Sequence, residues 1–381
     1  MVRLVSLAAL LAFAISCSKS VPPARAFKVQ SRLELVGGQR ALGEIGDFKI
    51  SNGIIHAIVQ DVGTSRGFGA FGGSLIDVDL VRDGASSATQ GAAGNDYFTE
   101  MFPAFFLTAV EPSKVEVLAD GSDGAAAIIR VSGGNGEFIS IVKELNTSLN
   151  LTPLQKVRYT VDYILEPGKQ YLKIVTSIHN EDVLADTACT SDFECPTGHR
   201  CATIEPGKRR CGRDATYGAV IPFGFVTLLG EGQRLFLPNE AGFNVRFHLE
   251  EVFKRPSELE ALPGEIVPLF ATEGSGVSYA VSAAPKGAGY MRNKPQYYDP
   301  YGAKPDSILI PIASSSFLGT FWGRPPPLEN GNIGIPPGGT YSFAGYVSVG
   351  TGDVASVQKV AYAIEDAEWG KKPTAYGTIA G

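Results

Sequence analysis

The sequence predicts an all-β protein: a large antiparallel β-sandwich with a small disulfide-rich insertion and one C-terminal amphipathic helix. The 381 residues include 45 glycines and 24 prolines, which divide the chain into short apolar runs. These runs are rich in Val, Ile, Phe and Tyr, the side chains that pack well on a pleated sheet. Where the pattern is clearest, apolar residues recur at every second position, which is typical of strands with one buried face.

The clearest strand pattern is a β-hairpin at residues 157–180, in the middle of the chain. Apolar and polar residues alternate in both of its strands. Between them, Pro167 restricts φ and Gly168 accepts a positive φ, so a sharp turn is expected there. The hairpin lies between two runs of predicted strands, which we interpret as two halves of one sandwich at residues 31–370.

The other predicted strands are short apolar runs bounded by glycine, proline and polar turn residues. They are residues 32–36, 46–51, 53–60, 73–81, 114–118, 126–131 and 138–145 before the hairpin, and residues 217–229, 234–237, 245–250, 277–283, 307–312, 317–322 and 341–349 after it. Turns are predicted at residues 120–124 and 133–136. Residues 17–30 are expected to form a tether, and residues 371–381 a linker or the start of a further domain.

One amphipathic helix is predicted at residues 354–368. Asp353 is a good N-cap, because its carboxylate can accept a hydrogen bond from a free N–H of the first turn. Apolar residues recur at the helical spacing and define the face that is expected to pack on the sheet. They are Val354, Val357, Ala361 and Ile364.

Residues 1–16 have the features of an export signal. A positive charge near the start precedes an apolar stretch, residues 4–15, that is too short for a membrane-spanning helix of roughly 20 residues. The last part, residues 11–17, resembles the lipobox of bacterial lipoproteins, with Ala14 where leucine is usual. The alternative is an ordinary secretory signal that is cleaved at residues 24–26.

The lipobox resemblance implies that Cys17 becomes the lipid-modified first residue of the mature chain. Several acyl chains on one cysteine hold a protein stably at a membrane. Ser18, in place of aspartate, implies the outer membrane, with the periplasmic or the surface side left open. Cysteine parity supports this interpretation, because removing Cys17 from the five cysteines leaves an even number.

The other four cysteines form a compact module at residues 187–213. They are Cys189, Cys195, Cys201 and Cys211, in the spacing Cys-x5-Cys-x5-Cys-x9-Cys. Zinc sites use closer Cys-x2-Cys pairs, and an exported protein meets an oxidising compartment, so disulfides are predicted rather than zinc. The spacing leaves three pairings open. Residues 191–201 resemble small disulfide modules of secreted deltaproteobacterial proteins, which implies the pairs Cys189 with Cys201 and Cys195 with Cys211.

Two features exclude other classes of function. The formal charge of −6 argues against a nucleic-acid partner, because such a partner requires a basic face. The glycine-aromatic stretch at residues 67–73 lacks the lysine and the following helix of a phosphate-binding P-loop. We therefore expect a close backbone turn at this stretch, and no cofactor.

Two family resemblances concern the sandwich. The strand content and residues 163–180 resemble the large sandwich, or supersandwich, of galactose-mutarotase-like and sugar-binding domains. Residues 43–53, 72–77 and 337–355 are similar to the N-terminal β domain of exported myxobacterial metallohydrolases, in the carbaryl-hydrolase-like branch of the polymerase-and-histidinol-phosphatase superfamily. This likeness spans most of residues 31–370. The His-x-His metal motif of that superfamily is absent from the sequence, so we expect neither its catalytic domain nor its metal.

Two histidines are candidates for acid–base chemistry. His179 ends the second hairpin strand, and His248 lies in a predicted strand beside Glu250. If a carboxylate converges with them, they could open a sugar ring as a mutarotase does. A lone histidine in a strand is more often simply hydrogen-bonded, and the pattern favours that interpretation.

A series of acidic residues offers a different chemistry. Asp77 and Asp79 lie two residues apart on one strand, and Asp83, Asp96 and Glu100 follow. These carboxylates could act as a glycosidase pair or bind calcium, but nothing in the spacing determines the distances between them. We expect solvated strand faces and turn aspartates instead.

The best candidates for ligand binding are aromatic and arginine residues in two proline-stiffened segments. Aromatic rings stack on sugar CH groups, and neighbouring polar groups satisfy the hydroxyls. The alternative is that the rings pack on the edge of the sheet. The candidates are Tyr290, Arg292, Tyr297, Tyr298, Tyr301, Trp322 and Arg324.

These patterns predict a non-catalytic, lipid-anchored envelope protein whose β-sandwich binds a ligand or a protein partner, with a glycan as the expected ligand. One alternative is a mutarotase-like sugar epimerase or lyase that uses His179 or His248. The other is an accessory or structural domain of a lost or separately encoded metallohydrolase.

Overall fold

The computed structural model describes residues 21–82, 94–105, 108–137, 156–216, 223–229, 232–236, 269–282, 307–313, 317–323 and 334–369. In this part of the chain nearly all regular structure is antiparallel β-sheet, with a disulfide-rich insertion and a C-terminal helix. The predicted fold class is therefore confirmed. None of the helices in these ranges has the length and apolar character needed to cross a bilayer.

Twenty-one strands and three helical segments make up the regular structure of the described ranges. The strands are β1 Arg25–Lys28, β2 Phe48–Ser51, β3 Ile55–Val59, β4 Leu75–Leu80, β5 Phe98–Phe105, β6 Thr108–Ala119, β7 Ala127–Glu137, β8 Val157–Leu165, β9 Tyr171–Asn180, β10 Val183–Ala188, β11 Arg200–Glu205, β12 Lys208–Gly212, β13 Ala215–Thr216, β14 Phe223–Leu229, β15 Arg234–Phe236, β16 Leu269–Glu273, β17 Ser278–Ser282, β18 Ser307–Ala313, β19 Phe317–Gly323, β20 Gly334–Ile335 and β21 Thr340–Gly350. Short 3-10 helices lie at Arg32–Glu34 and Asp192–Glu194, and helix α1 is Val354–Trp369.

One large sheet contains most of the strands. Its path runs from β1 through β9 in chain order and continues through β21, β17, β16 and β15, while β14 joins β5 to β19 and β19 joins β18. The β8–β9 hairpin lies near the middle of this path, and β9 pairs with β21 from His179 opposite Thr340 to Tyr171 opposite Ser348. The hairpin therefore joins the two runs of strands, as the sequence predicts.

The main core lies on one face of this sheet. Along β8 and β9 every second side chain is buried, which confirms the predicted dry face. Tyr159 and Tyr163 are its largest members, and the Tyr163 hydroxyl donates to Gly73 O at 3.1 Å. Full burial of one large apolar side chain contributes roughly 1.5 to 3 kcal/mol, so this face is a main source of stability.

Two segments cover parts of the opposite face, which we call the outer face. Helix α1 packs its predicted apolar face on β16, β17 and β21, and Asp353 Oδ1 accepts a hydrogen bond from Ser356 N at 2.8 Å as the predicted N-cap. Residues 29–47, called the arm, cover β2, β3 and β4 with Val29 and Val36 against Ile58 and Ile76.

Three local predictions were wrong. Residues 25–28, within the predicted tether, form β1 and pair with β2. Residues 32–36 contain a 3-10 turn rather than a strand, because the Glu34 carboxylate accepts hydrogen bonds from the backbone of Gln30 and Ser31.

The third wrong prediction is the turn at residues 133–136, which lie inside β7. The glycines there serve close packing rather than a turn. A Cβ on Gly133 would lie only 2.1 Å from the carbonyl oxygen of Glu111 on β6. The predicted strands at residues 138–145 and 245–250 fall outside the described residues.

The insertion forms a separate three-stranded sheet in the order β10, β12, β11. We call residues 183–213 the disulfide knob. Cys189 is bonded to Cys201 and Cys195 to Cys211, the pairing that the resemblance implied. Three of their sulfur atoms lie within 4.8 Å of one another, but sulfurs that are joined in disulfides are not zinc ligands.

Candidate functional site

The most unusual group of side chains lies on the outer face under the arm. Lys49, His56, Asp77 and Asp79 project from β2, β3 and β4 to this face, because His56 pairs with Asp79 and Ile58 pairs with both Lys49 and Asp77. All four side chains are at most 2 % exposed. We call these residues, with Asp96, the polar cluster.

Asp77 holds the arm against the sheet. Its two carboxylate oxygens accept hydrogen bonds from Leu42 N at 2.6 Å and Gly43 N at 2.9 Å. Gly43 has no room for a side chain, since a Cβ there would lie 2.5 Å from Asp77 Oδ2. Burial raises the pKa of Asp77 to about 7, despite the opposing effect of these hydrogen bonds.

Asp79 and Asp96 hold the segment that precedes β5. Asp79 receives hydrogen bonds from the Arg82 guanidinium at 2.6 and 3.1 Å and from Asn95 N at 2.7 Å. Asp96 Oδ1 accepts hydrogen bonds from Val78 N at 2.9 Å and Phe98 N at 3.0 Å. Its second oxygen is buried without a hydrogen-bond partner among the described residues. Burial, and then the charge of Asp77, raise the pKa of Asp96.

His56 is the least satisfied member of the polar cluster. Neither ring nitrogen has a hydrogen-bond partner in the described part of the chain. Burial, followed by the charges of Lys49 and Arg82, lowers the pKa of His56 to about 3, so the ring is neutral at neutral pH. Lys49 Nζ donates to Glu34 O at 2.5 Å, and burial lowers the pKa of Lys49 to about 8.

A further buried carboxylate, Glu100, organises the glycine-aromatic stretch. It accepts hydrogen bonds from Phe68 N at 2.5 Å, Gly69 N at 2.7 Å, Ser65 Oγ at 2.5 Å and Ser74 Oγ at 2.8 Å. The predicted close turn is present, and two of its N–H groups donate to the carboxyl group of Glu100. These N–H groups are therefore already occupied by a side chain of the protein itself.

The carboxylates therefore serve the backbone rather than a ligand. Asp77, Asp79 and Glu100 accept hydrogen bonds from loop N–H groups, and Asp96 accepts them from strands β4 and β5. These bonds offset part of the cost of burying the carboxyl groups. The expectation of solvated aspartates was wrong for Asp77, Asp79 and Asp96, which are all fully buried, and for Glu100 as well. The only hint in the sequence is that Asp77 and Asp79 lie in the otherwise apolar run Leu75–Leu80, which a strand with one wet face would equally show.

His179 lies far from this cluster in the fold. It is on the solvent side of β9, and its Nδ1 is 2.9 Å from Thr340 Oγ1 on β21. Its other strand neighbour, Arg158, forms an ion pair with Glu181 at 3.2 Å.

The other predicted site residues remain predictions. Trp322 belongs to strand β19, and the structure describes only its backbone position. The remaining candidates lie outside the described residues and are Cys17, Asp83, His248, Tyr290, Arg292, Tyr297, Tyr298, Tyr301 and Arg324.

Comparison with known proteins finds structural similarities with low TM-scores. No family model matches the chain, and no curated protein matches it. It is similar to a TPR-domain containing protein from Parabacteroides distasonis ATCC 8503, with TM-score 0.41 and 9% identity over 82% of this chain and 48% of that chain. It is also similar to an alpha-mannosidase from Enterococcus faecalis V583, with TM-score 0.36 and 9% identity over 83% of this chain and 31% of that chain.

A third similar structure is a galactose mutarotase related enzyme from Lactobacillus acidophilus, with TM-score 0.31 and 8% identity over 81% of this chain and 98% of that chain. The chain spans about half the length of the first protein and about a third of the second. TM-scores this low carry no conclusion about activity, so the function proposed for this protein rests on its own residues.

Proposed function

We propose that this protein is an exported lipoprotein that is anchored through Cys17 and binds a ligand or a protein partner at the cell envelope. The observation that carries the anchor is the position of β1. Ala24 and Ala26 are 0% and 4% exposed and belong to the main core, and β1 pairs with β2 along its whole length. Cleavage at residues 24–26 would cut this strand, whereas processing at Cys17 leaves it complete.

The contacts of β1 show what such a cut would remove. Ala26 N donates to Asp120 O at 3.1 Å, and the Arg25 guanidinium donates to Gly121 O. A buried alanine that is lost from a packed core leaves a cavity, and each broken backbone hydrogen bond costs about 1 kcal/mol. The disulfides of the knob also favour an exported protein, because disulfides persist in oxidising compartments.

Lipidation is tested by labelling cells that express the protein with a radioactive fatty acid. We expect label in the wild-type protein and in Ser18→Ala, the matched control at the neighbouring position, but none in Cys17→Ala. Wild-type protein should also sediment with membranes, and Cys17→Ala should not. An unlabelled wild-type chain whose first residue is Phe27 would overturn the proposal.

A glycan is the ligand that we propose for the envelope protein. The support is chemical: the segment that contains Tyr297 and Tyr298 combines rings that stack on sugars with arginine and asparagine side chains that bind hydroxyls. A glycan array with wild type and Tyr297→Ala tests it. Binding by wild type and its loss in the variant are expected, and no signal from wild type would refute the glycan.

Sugar epimerisation is the second candidate function. It is favoured by one observation: Arg158, which pairs with His179 in the β8–β9 ladder, forms an ion pair with Glu181, so a histidine and a carboxylate lie at the same end of the hairpin. An acid–base pair for ring opening needs the histidine and the carboxylate within hydrogen-bond reach of one sugar. Polarimetry of fresh α-galactose solutions should then show faster mutarotation with wild type than with His179→Ala. Equal rates would exclude a role for His179.

A further inference from the structure

We propose that one end of the sandwich, formed by the β2–β3, β6–β7 and β8–β9 turns, lies against the lipid headgroups, and that the disulfide knob lies at the end away from the bilayer. This inference rests on the proposed anchor at Cys17. It assigns an interaction surface, and the partner of that surface is the headgroup layer of the membrane.

The N-terminal segment lies across all three turns. A Cβ on Gly168 of the β8–β9 turn would be 2.7 Å from Val21, and a Cβ on Gly53 of the β2–β3 turn would be 2.8 Å from Pro22. A Cβ on Gly121 of the β6–β7 turn would be 2.2 Å from the Ala24 carbonyl oxygen. The chain therefore reaches the fold at this end.

The length of chain between anchor and fold limits their separation. Only residues 18–20 lie between Cys17 and Val21. Four residue steps span at most about 14 Å even when the chain is fully extended. With the acyl chains of Cys17 in the bilayer, Val21 and the β8–β9 turn that it contacts are held within about that distance of the headgroups.

The exposed charges at this end are of both signs, so this surface should not prefer anionic headgroups. Exposed Arg25 and Lys169 are accompanied by exposed Asp120, Asp123 and Glu166. A surface that binds anionic lipid by charge alone needs a cluster of basic residues. The tether, rather than charge attraction, sets this orientation, so it should be the same on neutral and anionic membranes.

The knob is attached at the opposite ends of the same strands. Strand β9 runs for 10 residues from the β8–β9 turn to Asn180, a length of about 30 Å at 3.3 Å per residue. The knob begins and ends there, since Arg213 N donates to Asp182 O at 3.0 Å and Asn180 Nδ2 donates to Arg213 O at 2.8 Å. Ile204 contacts Gly338, beside the start of β21, so β11 also stays at this end.

The orientation is tested with lipidated protein in phosphatidylcholine vesicles that carry a nitroxide on the headgroup. Lys169→Cys places a fluorophore on the β8–β9 turn, and the matched control Glu205→Cys places it on the knob. Both are labelled without reductant, so that the two disulfides stay intact. We expect quenching at position 169 to exceed quenching at position 205 by at least threefold, with or without anionic lipid.

One further variant tests whether the tether sets the distance to the bilayer. A flexible insertion of glycine and serine residues between Ser20 and Val21 should lower the quenching at position 169. Equal or reversed quenching on vesicles with which the protein co-floats would overturn the orientation and leave the lipid anchor standing. Failure of the wild-type protein to co-float with the vesicles would overturn both the anchor and the orientation.

Discussion

The outer face of the main sheet is covered in two places by two different kinds of contact. Under helix α1 the contact is apolar, with Leu269, Ala271 and Ala280 of the sheet against Val357 and Ala361 of the helix. Under the arm the sheet instead presents the charged and polar groups of the polar cluster. This comparison shows that one sheet face can be covered in two ways. Apolar side chains can pack on it and exclude water, or the backbone N–H groups of a loop can donate hydrogen bonds to its carboxylates.

The two covers should respond differently to change. Apolar packing loses stability in proportion to the volume removed and is insensitive to pH. A cover that is held by buried carboxylates depends on their protonation, because each ionised group must be desolvated. Substitutions under each cover should therefore separate the two cases, and the largest effect is expected under the helix.

Truncation under the helix should cost the most. Leu269 is fully buried beneath α1, so Leu269→Ala should lower the free energy of unfolding by about 2 to 5 kcal/mol. The effect should be the same at pH 5 and pH 8. Urea unfolding measures it, with Leu269→Met as the control that keeps most of the volume and costs less than about 1.5 kcal/mol. A loss that varies strongly with pH would contradict an apolar cover.

Asp77 under the arm should make the stability depend on pH. Burial raises the pKa of Asp77 from 3.8 to about 7, so the folded chain keeps a proton that the unfolded chain releases. The stabilisation from this group is complete below about pH 3.8 and is lost as the pH rises through about 7. At 1.36 kcal/mol per pKa unit the loss is at most about 4 kcal/mol.

Urea unfolding of wild type and Asp77→Asn between pH 4 and pH 8 measures this loss. The stability of wild type relative to the variant should fall across this range. Asp186→Asn, at an exposed strand position, is the control and should run parallel to wild type. Parallel curves for wild type and Asp77→Asn would show that the arm is not held by a titrating carboxylate.

The smallest expected effect has the opposite sign. His56 is buried without a hydrogen-bond partner among the described residues, and an unsatisfied buried polar group costs about 1 to 3 kcal/mol. His56→Leu, which is similar in size, should therefore raise the free energy of unfolding by about 1 kcal/mol. The control is His179→Leu on the solvent side of β9, where the hydrogen bond to Thr340 is lost and the free energy of unfolding should therefore not rise. A destabilised His56→Leu would mean that the ring has a role in the fold.

The apolar cover could be predicted from the sequence, and the polar cover could not. Val357 and Ala361 recur at helical spacing behind the N-cap Asp353, and such a period is visible without knowing the partner. The contact of Asp77 with Leu42 N has no period, because it joins a strand side chain to a loop backbone 35 residues away. Burial of Asp77 therefore depends on a loop path that no local pattern encodes.

The same reasoning applies to the hairpin, to β1 and to the candidate site. Apolar residues alternate along residues 157–163, and Leu172, Ile174 and Ile178 keep the alternation in the second strand, so the hairpin was predictable. Strand β1 has four residues with no alternation of its own and is ordered by pairing with β2 and by contact with Gly121. The four cysteines of the disulfide knob allowed only three pairings, one of which is observed. In the candidate site, by contrast, no sequence pattern singled out His56.

The most direct test of the central claim is the contribution of β1 to the folded protein. Two chains are compared, one beginning at Val21 and one at Phe27, the latter being the product of secretory cleavage after Ala26. Loss of buried Ala24 and Ala26 and of strand pairing should lower the free energy of unfolding of the shorter chain by at least about 2 kcal/mol. Equal stability of the two chains would contradict the claim that the mature protein keeps β1, and with it the structural support for processing at Cys17.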